Sequence, residues 1–324
     1  MAENTLEEQL VKYLTDVHSI EEQALAQLRR APDLAGNSEI ADAFSQHLAE
    51  TERQEERVRG QLEAHGASPS KLKDIAGKAG GVGMVLFAGA QPDTPGKLVA
   101  HAFSYEHLEL AAYELLRRVA ERASDAGTAQ TATEIAEEER RMAGRLESLF
   151  DRAAHASLRE VDPPSIAEQV RKYLADAHAI EEQAIRMLER APKITQSDEL
   201  ASLYSEHLEE TREHERRVRE RLEAVGGSTS ALKDAALRLG ALNWGAFFAA
   251  QPDTPAKLAG FAFAFEHLEI GGYSQLQRVA TRAADEETVR IADMNLAEER
   301  AAAEKLAAHW DVALEASLTQ VVGA

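Results

Sequence analysis

The stretches YEHLELAAY (residues 105–113) and FEHLEIGGY (residues 265–273) lie 160 positions apart and carry the same two glutamates and the same tyrosine among apolar residues. Around the first, Leu98, Ala102, Tyr105, Glu109, Ala112, Leu116 and Val119 step by fours and threes. That spacing keeps side chains on one buried stripe of a helix, so Glu109 falls in the middle of an apolar face. The second copy repeats the stripe with Leu258, Ala262, Phe265, Glu269, Gly272, Leu276 and Val279. The same offset, without a gap, aligns TLEEQLVKYLTDVHSIEEQALAQLRRAP (5–32) with SIAEQVRKYLADAHAIEEQAIRMLERAP (165–192), HLAET with HLEET, and QPDTPGKL with QPDTPAKL. A period this long exceeds the roughly 20–50 residues of solenoid repeats and marks the duplication of a whole domain. The seam falls near LREVDPPS (158–165), where two prolines stop one helix and Ser165 is placed to cap the next. The expected domains are therefore residues 1–160 and 161–324.

The rest of the chain predicts an all-α protein. Ala, Leu, Glu and Arg abound, aromatic residues are scarce, and Val/Ile/Thr runs bounded by turns are absent. Each copy reads as four long helices, at roughly 5–30, 38–65, 95–123 and 126–157 in the first. Thr94-Pro95 and Thr254-Pro255 mark the start of the third. A short turn makes helices one and two antiparallel neighbours, whereas the span 66–94 between helices two and three is long enough to cross a bundle. A net charge of −20 repels phosphate backbones and anionic lipid, which sets nucleic acid aside. The lack of cysteine excludes disulfides, iron–sulfur clusters and thiol nucleophiles. The apolar runs VGMVLFAGA and ALNWGAFFAA are too short to span a bilayer. The start, MAENTLEEQLVKYL, is acidic and amphipathic rather than signal-like, so a cytoplasmic protein is expected.

Acids recur on the inner faces. In helix one the stripe Leu10, Leu14, Val17, Glu21, Ala24 and Leu28 places Glu21 inside, with Glu181 its counterpart. In helix four Ala132, Ala136, Glu139, Ala143 and Leu146, with Ala292, Leu296, Glu299, Ala303 and Leu306, select Glu139 and Glu299, and Glu138 and Glu298 stay open as substitutes. Helix two offers Ile40, Phe44, His47, Thr51, Gln54 and Val58, with Glu50 at the flank about one side-chain width from His47 and Gln54. The second copy changes Gln54 to His214, so that His207, Glu210 and His214 line one side as the better metal-ligand set. A buried unpaired ion costs several kcal/mol, against a whole-domain stability of only about 5–15 kcal/mol. Two divalent cations per bundle would balance four glutamates, and carboxylate oxygens with an imidazole or two suit iron or manganese.

Each residue also has a plainer reading. Inward acids are otherwise protonated, paired with His or Arg, or at a wet edge. His18 and His178 read as residues behind the ligands or at an interface. Glu106 and Glu266 are either extra ligands or solvated. Tyr113 and Tyr273 either pack with a polar tip or bond a metal-bound oxygen. The charge runs ETERQEERVRG and AEEERR read mostly as solvated faces.

With DxHxIEEQ in helix one, HLxET in helix two, EHLExxxY in helix three and AEEER in helix four, the chain resembles the YciF-like family of ferritin-like four-helix proteins, which are bacterial and associated with stress responses. The resemblance covers nearly all of both copies. It implies two tandem ferritin-like four-helix bundles, each with a long crossover between helices two and three, and a dinuclear centre in each. It implies ligand roles for Glu21, Glu50, Glu109 and Glu139, and for Glu181, Glu210, Glu269 and Glu299. The wider group commonly has Glu-x-x-His on helices two and four. Here Glu50 is followed three residues later by Arg53, Glu210 by Glu213, Glu139 by Met142 and Glu299 by Ala302. The family resemblance also implies dimerising bundles, so a fused pair would form an internal pseudo-dimer.

The sequence thus leads to a non-haem protein with two iron or manganese ions per bundle, reacting with oxygen or peroxide in stress protection as a ferroxidase- or peroxidase-like oxidoreductase. The competing expectation is a structural or interaction bundle with an inherited acidic core and no turnover. Iron storage is a weaker third, because it needs a closed shell of many subunits.

Overall fold

The computed structural model describes residues 5–67, 95–159, 161–227 and 254–322, and every regular element among them is a helix. The first repeat contains α1 (Leu6–Leu28), α2 (Ala31–Leu34), α3 (Ser38–Ala64), α4 (Pro95–Arg122), α5 (Ala126–Ser148) and α6 (Phe150–Leu158). The second contains α7 (Pro163–Leu188), α8 (Ala191–Ile194), α9 (Asp198–Ala224), α10 (Thr254–Arg282), α11 (Glu286–Ala307) and α12 (Trp310–Val322). The segments holding VGMVLFAGA and ALNWGAFFAA, and Thr94, lie outside the described residues. No helix among the described residues is long and apolar enough to cross a membrane.

Side-chain caps fix the helix starts by satisfying amides that have no partner within the helix. Thr5 and Glu8 form a reciprocal capping box, Asn37 accepts from the Glu39 and Ile40 amides, and Asp125 accepts from those of Gly127 and Thr128. Ser165 is not a cap. Proline is at ease in the first turn, so α7 begins at Pro163, and the Ser165 amide bonds the Asp162 carbonyl at 2.9 Å. The fourth helix, expected as one run, is broken after Ser148 and again after Ala307. At both breaks a side chain bonds the carbonyl that the next turn would use. Ser148 Oγ bonds the Arg145 carbonyl at 2.6 Å, and His309 Nδ1 lies 2.5 Å from that of Lys305.

Within each repeat the four long helices pack as a ring in which α3 touches α1 and α5, and α4 touches α1 and α5. Contacts such as Arg57–Glu134, Gln61–Thr131 and Arg145–Gln46 run α3 and α5 antiparallel. Since the short turns at 29–37 and 123–125 also reverse the chain, α3 and α4 must run parallel. Parallel helices on opposite corners of the ring need a connection long enough to return its length, which is what the spacing between α3 and α4 provides.

The two repeats meet along α4 and α10, which cross antiparallel about an axis near residues 105 and 265. Several contacts across this axis have counterparts 160 residues on. Ser104 Oγ donates to the Ala264 carbonyl at 2.7 Å, and His107 and His267 stack with ring centroids 3.5 Å apart. Lys97 pairs with Asp176 and Lys257 with Asp16, each at 2.7 Å. Arg118 reaches Asp311 at 3.3 Å and Arg278 reaches Asp151 at 2.5 Å. This reciprocity is what a two-fold contact between identical copies would give. Helix three is consequently buried on two sides: Tyr105, Glu109, Leu116 and Val119 face their own repeat, and Ala100, Phe103, Ser104 and Ala111 are also buried. The single-stripe expectation underestimated this, and placed Leu98, Ala102 and Ala112 deeper than their half-buried positions. The larger apolar cluster runs through both repeats, from Leu10 to Leu318.

Backbones approach closely where Gly271 meets Ala100. A Cβ on Gly271 would sit 3.0 Å from the Ala100 Cβ and 3.2 Å from its Cα. Gly271→Val is expected to destabilise the protein by about 1–3 kcal/mol through overpacking of this crossing, read as a lower urea midpoint with an unchanged slope.

Candidate metal centre

Each repeat aims its acids and histidines from the middle of all four long helices at one interior point. In the first repeat these are Glu21 on α1, His47 and Gln54 on α3, Glu106 and Glu109 on α4, and Glu139 on α5, none more than 3% exposed. One ligand atom each from His47, Glu106, Glu109 and Glu139 lie within 4.8 Å of one another. His47 Nε2 is 3.1 Å from Glu106 and 3.6 Å from Glu139. Glu21 is held alongside by the Tyr113 hydroxyl, which donates to its Oε1.

The second repeat holds two such groups: His207, Glu266 and Glu299, and Glu181, His214 and Glu299. His207 Nε2 lies 2.9 Å from Glu266 and 3.8 Å from Glu299. His214 Nδ1 lies 2.6 Å from Glu299 and 3.8 Å from Glu181, and Tyr273 donates to Glu181. Glu269 is equally buried and stands outside these groups.

The structure separates residues that helical spacing could not. Glu106 and Glu266, left open between ligand and solvated acid, are buried in the clusters. Glu50 and Glu210 lie outside them, with side chains 40% and 39% exposed, against the outer Nδ1 of His47 at 3.6 Å and of His207 at 3.1 Å. At His207 the hydrogen-bonded carboxylate of Glu210 fixes which ring nitrogen faces inward. Glu139 and Glu299 occupy the interior, while Glu138 and Glu298 bond the outer side of Gln54 and His214, at 3.0 and 2.6 Å. Gln54 also donates to Glu139. His18 and His178 pair with Glu55 and Glu215, at 3.1 and 2.8 Å, and join no cluster.

Many buried polar atoms of the clusters lack a hydrogen-bond partner in the protein. Both carboxylate oxygens of Glu109 and Glu269 do, as does one oxygen each of Glu21, Glu106, Glu139, Glu181, Glu266 and Glu299. A buried orphan costs about 1–3 kcal/mol, and native interiors tolerate few. Protons carry part of the load. Burial, reinforced by the charges of Glu21 and Glu106, raises the Glu109 pKa well above the usual carboxylate range, and burial with Glu299, Glu181 and Glu266 does the same to Glu269. Burial lifts Glu21 and Glu181 to about 8 and Glu266 to about 7. For His214, burial opposes the charge, but Glu299, Glu181 and Glu298 push it up to about 9. Glu139 and Glu299 then differ in direction. Burial and neighbouring glutamates raise Glu139, whereas in Glu299 the bond and charge of His214, with His207, outweigh burial and lower it. The metal-free clusters are thus neutralised by protons and imidazolium ions, which still leaves the orphaned oxygens unpaired. Oxygen and imidazole ligands without thiolate, converging on unsatisfied points, fit a divalent cation of the iron or manganese kind.

The family model described as Domain of unknown function (DUF892) matches residues 5–159 and again residues 167–319. The chain belongs to this family, in two copies. That description carries no activity, and no solved structure matches the chain. The chemistry of these DUF892 repeats therefore rests on the side chains themselves. Sequence reading overlooked Asn295, which is fully buried, donates to the Tyr273 hydroxyl at 2.8 Å and accepts from Arg217 at 2.9 Å. Its signal was available, because Ile135 stands at the equivalent position of the first DUF892 repeat. Arg57 was likewise read as part of a solvated run, yet it and its counterpart Arg217 hold Glu138 and Glu298, at 3.4 and 2.7 Å.

Groups whose folded pKa is raised bind protons in the native state alone, so the metal-free protein should lose stability as pH climbs through those values. Glu21 and Glu181, raised from 4.5 to about 8, lose their contribution over that interval, and His214, raised from 6.5 to about 9, over its own. The decline is steepest where the two overlap, between pH 6.5 and 8, at about 1.4 kcal/mol per pH unit for each extra native proton. Urea unfolding in chelator across that range should show the decline. Adding manganese should flatten it and release protons into weakly buffered solution.

Proposed function

We propose that each repeat, residues 1–160 and 161–324, is a ferritin-like four-helix domain that binds divalent iron or manganese, and that the pair is an internal pseudo-dimer. In this reading the chain is a non-haem metal protein that reacts with oxygen or peroxide in protection against oxidants. The observation that carries it is the convergence of orphaned carboxylate oxygens with His47, His207 and His214 in the dry middle of each ring.

Bound iron or manganese would supply open coordination positions and the electrons that reduce oxygen or peroxide. The chain's own residues prepare the site. His47, Glu106, Glu109 and Glu139 in the first repeat, and Glu181, His207, His214, Glu266 and Glu299 in the second, would be the ligands. Glu50 and Glu210 orient His47 and His207, and Glu298 orients His214. Tyr113 and Tyr273 hold Glu21 and Glu181 and keep a hydroxyl proton beside the cluster. Burial makes both tyrosines resist ionisation, so they act as hydrogen-bond donors and not as phenolates. Glu109, with both oxygens unengaged, is the ligand carboxylate most able to shift between one-oxygen and two-oxygen coordination.

One observation favours a second reading, a structural bundle without turnover. Protons and imidazolium ions already neutralise much of the metal-free interior, so folding does not demand an ion. Ferrous iron added without oxygen to stripped protein, followed by exposure to oxygen or peroxide, separates the two. The expected result is stoichiometric binding and oxidation at least ~100-fold faster than that of free iron, the lower end of what a positioned acid or base supplies. Glu139→Ala with Glu299→Ala, which removes one proposed ligand from each repeat, should abolish the acceleration. Binding that raises the melting temperature without acceleration would support the structural reading. Failure to bind would end both forms of metal role.

A further inference from the structure

The two repeats share one ligand arrangement and differ at another. His47, Glu106 and Glu139 correspond residue for residue to His207, Glu266 and Glu299, and this set is complete in both. The first repeat adds Glu109 to the set, so that four ligands converge on a single point. The second group of the second repeat, Glu181, His214 and Glu299, corresponds to Glu21, Gln54 and Glu139. There the duplication has diverged, because an amide stands where the other repeat has an imidazole.

The surroundings have diverged with it. His214 turns Nδ1 toward Glu299 and Glu181, and its Nε2 is taken by Glu298, which Arg217 anchors at 2.7 Å. A carboxylate behind a histidine fixes its tautomer and strengthens it as a ligand. Glu181 is held from the other side by a continuous chain in which Arg217 donates to Asn295, Asn295 to Tyr273, and Tyr273 to Glu181. In the first repeat Ile135 replaces Asn295 and ends that chain, and Gln54 spends its NH₂ group on Glu138 and Glu139. A neutral amide is a far weaker ligand than an imidazole for first-row divalent ions. Both changes remove support from the same position.

We infer that the two centres are not equivalent: the first repeat takes one divalent ion on His47, Glu106, Glu109 and Glu139, and the second takes a pair of ions that share Glu299, three per chain in all. His214 is the residue that decides the difference. The inference rests on the metal-binding reading above, and its test does not depend on turnover.

The test is manganese loading of the chelator-stripped full chain, with bound metal counted by elemental analysis and examined by electron paramagnetic resonance. Wild type should hold three ions and show two signals together, that of an isolated ion and that of an exchange-coupled pair. His214→Gln installs the residue that the first repeat already accommodates. It should lower the count to two, erase the coupled signal and weaken the lost ion by at least ~10-fold, while the isolated-ion signal grows. Gln54→His runs the other way and should raise the count to four, a gain that misfolding cannot mimic. Four ions in wild type with only the coupled signal, or a count of two that His214→Gln leaves unchanged, would overturn the inference and leave the metal reading standing. No bound manganese or iron would overturn both.

Discussion

The interior carboxylates set the terms for the rest of this molecule. An ionised carboxylate in a dry helical core costs several kcal/mol even after relaxation, comparable to the whole stability of a domain. Three kinds of positive charge are within reach: a proton on the acid, an imidazolium beside it, or a cation between several of them. The raised values at Glu109 and Glu269 are the first kind, and His214 against Glu299 is the second. Neither engages the oxygens left unpaired on Glu109 and Glu269, and the third kind would. A site in which protons occupy places that a cation could take would exchange one for the other, so any affinity for metal would be tied to pH from the outset.

The same constraint explains why helix three is so deeply enclosed. A carboxylate keeps a perturbed pKa only if water stays away, and one ring of helices leaves its outer faces wet. By crossing α4 and α10 directly, the chain covers the back of the helices that carry Glu106, Glu109, Glu266 and Glu269. The crossing has its own requirements, which are small residues at Ala100, Ala111, Gly260 and Gly271 and a stacked pair of histidines at the axis. Burial lowers the pKa of both histidines, His267 to about 4, so they meet as neutral rings and no charge is placed at the seam. Duplication and fusion thus supply the low-dielectric wall that each acidic centre needs.

Much of this was legible in the amino-acid order, for identifiable reasons. The offset of 160 residues survives in both copies without a gap, and inward acids interrupt apolar stripes of clear helical period. Periodicity resolves which face of a helix is buried to within about one residue, and that limit is where the sequence reading faltered. Glu50 and Glu106 both sit at a stripe's edge, yet one ends at the rim and the other at the centre, because the neighbour across the gap decides the matter. The second buried face of α4 left no separate period, since a helix enclosed on two sides has apolar residues almost all round. The break after Ser148 was invisible to patterns of proline and glycine because neither residue stands at it.

Divergence between the copies carries information that neither copy holds alone. Once a gene segment is doubled, each interior position is represented twice in one folded context, and a polar residue retained in one copy is tested against the apolar residue in the other. Ile135 shows that Asn295 is not needed for packing, and Gln54 shows that an imidazole at His214 is not needed to fill the space. Yet Asn295 and His214 occur together, in the same repeat, linked through Arg217, which bonds Asn295 and holds the Glu298 that backs His214. Burying an additional amide and an additional imidazole costs free energy unless every donor and acceptor is engaged. Here the engaged partners lead from the half-buried Arg217 to Glu181, one of the acids grouped with His214 and Glu299. A network that is dispensable for packing and directed at one group of acids is accounted for by the metal-binding role proposed for those acids.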